Sequence, residues 1–142
     1  MKWLYRMLAI ANVANGLWML VAPAGWFVDL PAAVPDTGPF NSHFVRDLGV
    51  VFTVCGAGFA WCAENLDQAL PVHLGITAFY AGHAATHVAD ILSGQLPVSH
   101  WWIDMPAVFA PTVLLLVMAV ALHRAPRPSA LRWSWEDAAP TS

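Results

Sequence analysis

Apolar residues fall into four long runs separated by short polar or proline-rich stretches: Trp3 to Ala22, His43 to Ala63, Leu70 to Leu92, and Trp101 to His123. Each is close to the ~20 residues a helix needs to cross the hydrocarbon of a bilayer. The pattern predicts an all-α, integral membrane four-helix bundle over residues 1–123, with a cytoplasmic tail from 124 to 142. Helix punctuation falls at the ends of the runs. Asn41 or Ser42 can cap the second and Ser99 the fourth. Pro71 suits the first turn of the third, and Gly94 its exit. Pro106 and Pro111 lie inside the fourth run. Pro111 has no N–H and crowds the carbonyl of Ala107, so a kink is expected there.

Composition turns a helical reading into a membrane one. The chain is 58% hydrophobic and 11% charged, against about 25% charged in soluble domains. So few polar side chains cannot cover a soluble core, and a lipid bilayer is the expected surrounding. A net charge of −3 with only six Lys and Arg leaves no basic stripe for nucleic acid. Cys55 and Cys62 lie about two helical turns apart, roughly 10 Å, too far for a disulfide. They read as small buried apolar residues.

The basic residues set the orientation. Lys2 and Arg6 flank the first run, and Arg124, Arg127 and Arg132 follow the last. The connections after the first and third runs contain no Lys or Arg. Both termini are therefore expected on the cytoplasmic side of a bacterial inner membrane, in a multi-pass arrangement. Lys2, Arg6 and the Ala22-Pro23-Ala24 segment have the outline of a signal peptide, but the chain begins at Met1 and the segment is read as a retained span. The outer connection, Pro23 to Phe40, contains Pro23, Pro31, Pro35 and Pro39 with Trp26, Phe27 and Leu30. A stiff apolar loop of this kind makes a lid, with its aromatic residues at the membrane interface.

This topology gathers three polar groups at the outer membrane level: His43-x3-Asp47, His83-x3-His87-x2-Asp90 and His100-x3-Asp104. On the third helix, His87 lies about 40° from His83, and Asp90 about 20° from it on the other side. Imidazoles at i and i+4 can share a metal ion, and a carboxylate one turn on can ligate or orient an imidazole. The expected metal set is His83, His87, Asp90, His43, Asp47, His100 and Asp104, a donor set suited to zinc, copper or non-haem iron. Hydrogen-bonded plugging between helices is the structural alternative for the same residues. Arg46 has two readings, a fastening to Asp47 or, with Asn41, a substrate-binding group for a carboxylate, phosphate or quinone oxygen. His73 and His123 fall at the cytoplasmic ends, where snorkelling is expected.

The run Phe40-Asn41-Ser42-His43-Phe44-Val45-Arg46-Asp47-Leu48-Gly49 resembles a signature of small, uncharacterised four-helix bacterial membrane proteins. These similarly carry a proline-rich loop after the first span and a His-rich third span. The resemblance implies the fold and topology and supplies no activity. The expected function is a membrane protein with a metal site at its periplasmic end; if catalytic, it performs metal-dependent redox chemistry on a small or lipophilic molecule. The alternative is a non-catalytic accessory subunit of a larger membrane complex. Other membrane subunits or further copies of the chain are its expected partners. A continuous proton pathway is disfavoured, since the inner half offers only Asn12, Asn15 and Thr77.

Overall fold

The computed structural model describes residues 1–125. Apart from Arg124 and Ala125, the tail expected from residue 124, with its Trp133 and Trp135, lies outside the described residues. Within them the chain is helical, with no strand. Its elements are α1 (Lys2–Val21), α2 (Pro23–Asp29), a 3-10 turn (Val34–Thr37), α3 (Ser42–Glu64), a second 3-10 turn (Leu66–Gln68), α4 (Ala69–Ser93), α5 (His100–Ile103), a π turn (Met105–Phe109) and α6 (Ala110–Arg124). Three helices, Lys2–Val21, Ser42–Glu64 and Met105–Arg124, are long and apolar enough to cross a membrane. α4 is longer than any of them, but three histidines, Asp90 and two threonines along it lower its average apolarity.

α1 packs along α3, α4 along α6, and α3 against α4, which joins the two pairs. The α1–α3 seam is built on missing side chains. A Cβ at Gly16 would lie 2.6 Å from the carbonyl oxygen of Gly49, and one at Gly56 would lie 2.9 Å from the amide nitrogen of Val13. Small residues that let backbones approach this closely are the usual basis of helix pairing in lipid, where apolar burial gives no net drive. Tyr5, Phe59, Cys62, Leu115 and Met118 fill one end of the bundle; Met19, Trp26 and Val45 form a smaller apolar cluster towards the other. Many large apolar side chains, including Met7, Ile10, Val54, Leu116 and Val117, are exposed on the helix exteriors, as expected of a surface solvated by lipid.

Two expectations change here. The outer connection contains a helix, α2, with Pro23 at its first position, where a missing N–H costs nothing. Its Trp26 is buried, and the indole N–H donates to Asn15 Oδ1 at 2.8 Å, so it anchors the loop to α1. The fourth run is not one kinked helix; it is divided at Asp104. The amides of Val108 and Phe109 both bond to the Asp104 carbonyl, at 2.8 and 3.2 Å, and the Ala110 amide reaches back five residues to Met105. The chain thus absorbs Pro106 and Pro111 by widening one turn, a π feature of the kind that recurs at functional sites.

His73 departs from its snorkelling role. It is fully buried, with Nε2 2.9 Å from the Leu115 carbonyl and Nδ1 3.0 Å from the Tyr5 hydroxyl. A carbonyl only accepts, so Nε2 carries the hydrogen and Nδ1 accepts from Tyr5. His123 is exposed at the end of α6, as expected.

Candidate functional site

Asp104 is the centre of the site. The break between α5 and the π turn places its carboxylate inside the bundle, 1% exposed. Oδ2 lies 2.7 Å from His87 Nδ1 on α4, and the two carboxylate oxygens lie 3.1 Å from His100 Nδ1 one turn earlier on its own strand of chain. His100 Nε2 in turn lies 3.2 Å from Asp36 Oδ2 in the 3-10 turn of the lid. Asp36, His100, Asp104 and His87 therefore form one chain of charge-assisted hydrogen bonds from lid to α4. His83 stands beside it, with its ring centroid 4.7 Å from that of His87 and its face stacked on Phe79.

Proton placement follows from what each atom can do. Ionised carboxylates only accept hydrogen bonds. His87 Nδ1 must then carry a hydrogen, which leaves Nε2 of the neutral ring as an acceptor. His100 faces a carboxylate at each nitrogen, so both nitrogens donate and the ring is an imidazolium. Burial works to lower the His100 pKa, but the hydrogen bonds and charges of Asp36 and Asp104 outweigh it and raise the pKa above its ordinary value.

Beside this network lies a cavity of about 710 Å³. Trp26, Phe27, Leu30, Phe44, Leu48 and Phe52 supply much of its apolar wall, and His83, His87, Asp90 and Asp104 contribute a polar part. Tyr80 and Asn12 also line it, but they satisfy each other: the Tyr80 hydroxyl donates to Asn12 Oδ1 at 2.7 Å, and Asn12 Nδ2 donates to the Leu8 carbonyl at 2.9 Å. A second depression of about 750 Å³ near Met1, Trp61 and Leu122 has Asp67 as the only titratable side chain among the described residues that line it. It lacks convergent chemistry, so size alone does not make it the candidate site.

Of the seven expected metal ligands, the structure joins His83, His87, His100 and Asp104, and places Asp90 on the same cavity wall. Among the described residues His43 and Asp47 pair only with each other, 3.4 Å apart and 87% and 64% exposed, on the exterior of α3. Phe44, Val45 and Leu48 of the same turns line the cavity, whereas the face of α3 that carries His43 and Asp47 is turned outward, so these two side chains stay out of the network. Among the described residues no group of three or more His, Cys, Asp or Glu is arranged to hold a metal ion.

The two expected substrate groups separate as well. Asn41 borders the cavity, but its side-chain oxygen is occupied in capping α3, accepting from the amides of His43 and Phe44 at 3.1 Å each. Arg46 is exposed and is not part of the cavity wall. No carboxylate lies within 4.0 Å of it among the described residues, so it is not fastened to Asp47. Asp36 was missed in the sequence, where the only available signal was an acidic residue in a proline-rich outer loop. Comparisons with protein-family models, curated proteins and solved structures found no match to this chain.

Proposed function

We propose that this chain is a four-span protein of a bacterial inner membrane, both termini cytoplasmic, whose outer-end cavity binds a small lipophilic molecule. The observation that carries this reading is the cavity itself. It is largely apolar, within the ~300–1,000 Å³ range of ligand sites, and bounded on one side by two imidazoles with nitrogens that no group among the described residues occupies. Asp104 fixes His87 in one tautomer, so that Nε2 meets the ligand as a hydrogen-bond acceptor with a set orientation. The lid, anchored through Trp26 to Asn15 and through Asp36 to His100, separates this polar corner from the surroundings.

The test is nuclear magnetic resonance of 15N-histidine-labelled protein in nanodiscs, titrated with phenylalkyl alcohols of increasing chain length. Saturable shifts of the His83 and His87 ring signals, with His43 and His123 unmoved, are the expected result. Filling the cavity by Ala11→Trp should abolish them in protein that stays folded by circular dichroism. If neither these alcohols nor the amine and carboxylate that share their phenylalkyl body give a saturable shift, the cavity is not a ligand site. Binding by the chain purified alone also weighs against the accessory-subunit reading.

One observation favours a second reading, a zinc, copper or iron ion held by His83 and His87. An imidazole whose far nitrogen is bonded to a carboxylate is the usual form of a metal-ligating histidine, and His87 with Asp104 has that form. The fit is partial: only two imidazoles adjoin, and Asp90 or solvent must complete the shell. Elemental analysis of the purified protein decides it, since absence of stoichiometric metal removes this reading.

A further inference from the structure

We infer that the cavity selects a protonated lipophilic amine, recognised at its polar corner by Asp90 and His87 and along its body by the aromatic wall. This rests on the reading of the cavity as a ligand site and adds the charge and hydrogen-bonding class of the ligand.

Acceptors outnumber donors in the polar corner: the carboxylates of Asp90 and Asp104 only accept, and a neutral His83 ring adds one N–H beside one acceptor nitrogen. Asp90 and Asp104 border the cavity, and among the described residues no Lys or Arg lines it. His100 is held between Asp36 and Asp104, so one imidazolium is shared by two carboxylates and the three groups carry one net negative charge. Asp90 adds a second. Its side chain has no hydrogen bond or basic partner within reach among the described residues. It also lies in the last turn of α4, the end towards which the aligned peptide dipoles direct their negative pole. His87 contributes Nε2 as an acceptor, because Nδ1 has donated its hydrogen to Asp104.

These facts order the possible ligands. A carboxylate or phosphate meets negative charge, which a single neutral imidazole N–H from His83 does not offset. A ketone or quinone offers only acceptors to a corner made mainly of acceptors. An alcohol offers one donor and leaves the negative charge uncompensated. An ammonium offers up to three donors and the opposite charge. Trp26, Phe27, Phe44 and Phe52 enclose the remaining space, which suits an apolar body and adds cation–π attraction near the charge.

The discriminating experiment titrates the full chain, 15N-histidine-labelled in nanodiscs of zwitterionic lipid at pH 7, with 4-phenylbutylamine, 4-phenylbutan-1-ol and 4-phenylbutanoate. The three share one apolar body and differ in head-group charge. The amine is expected to bind at least about tenfold more tightly than the alcohol, a difference of about 1.4 kcal/mol, with the carboxylate weakest. Asp90→Asn should reduce the amine to the level of the alcohol and leave alcohol binding unchanged, while Asp90→Glu retains the preference. Equal binding of amine and alcohol, or an amine preference that survives Asp90→Asn, overturns the inference and leaves the cavity reading standing. If none of the three saturates the histidine shifts, the cavity reading falls with it.

Discussion

At the scale of single residues, His100 is where electrostatics can be tested directly. Its raised pKa means that the folded state holds the proton more tightly than the unfolded chain does. The stabilisation is fully present below the ordinary imidazole value of about 6.5, and is lost as pH rises through the higher folded value. Asp36, Asp104 and, through Asp104, His87 are the groups that face it. Thermal unfolding in nanodiscs should therefore show the wild type losing stability relative to His100→Gln as pH rises from 6 to 9. A constant difference over that interval would mean that the ring is not an imidazolium. Part of this network was legible in the sequence. The His100-x3-Asp104 spacing gives a contact along one helical turn, and His87 lies on the correct face of α4. Asp36 was not legible, because a loop residue reaches its partner only through the three-dimensional path of the lid. The His43-x3-Asp47 spacing was also read correctly as a pair, but spacing on one helix says nothing about which way that face turns.

At the scale of elements, the helix limits follow the apolar runs to within a residue or two, since the runs and their end caps state them directly. α3, expected from His43 to Ala63, runs from Ser42 to Glu64, and α4, expected from Leu70 to Leu92, runs from Ala69 to Ser93. What the runs do not state is how two helices touch. The approach of α1 to α3 depends on Gly16, Gly49 and Gly56, each of which leaves too little room for a Cβ. Gly16→Val should push α1 away from α3 and cost about 1–3 kcal/mol, the usual range for overpacking. Gly82, which has nothing near its absent Cβ, provides the control: Gly82→Ala should be neutral or slightly stabilising by helix propensity, about 0.5–1 kcal/mol. Unfolding by denaturing detergent measures both, and equal effects at the two positions would refute the close-packed seam. The division of the last run at Asp104 was hidden for a different reason. Proline marks a break, but the neighbouring turns decide whether it becomes a kink or a widened turn.

For the whole molecule, the issue is whether α4 can cross a membrane alongside the three helices that are long and apolar enough to do so. Mean hydropathy averages around the helix and so mixes two surfaces. His73, Thr77 and Tyr80 are buried against other helices, and His83 and His87 border the cavity, whereas Leu74, Ala78, Gly82, Ala85 and Leu92 are exposed. The polar content is thus on the inner face, and the outward face is one that lipid can solvate. In a bilayer, polar side chains are expected on such inward faces. Four spans put the lid and the turn before α4 on opposite sides. The Arg6–Glu64 ion pair, 2.9 Å across the start of α1 and the end of α3, agrees with the first of these ends and the turn before α4 sharing a side. Single cysteines give the decisive readout in a background where Cys55 and Cys62 are replaced by alanine. A membrane-impermeant maleimide should label Thr37→Cys on intact cells, and Gln68→Cys only after the membrane is opened. Labelling of both on intact cells, or the reverse order, would exclude the outward-facing cavity, because the lid and the polar corner it covers would no longer lie on the periplasmic side.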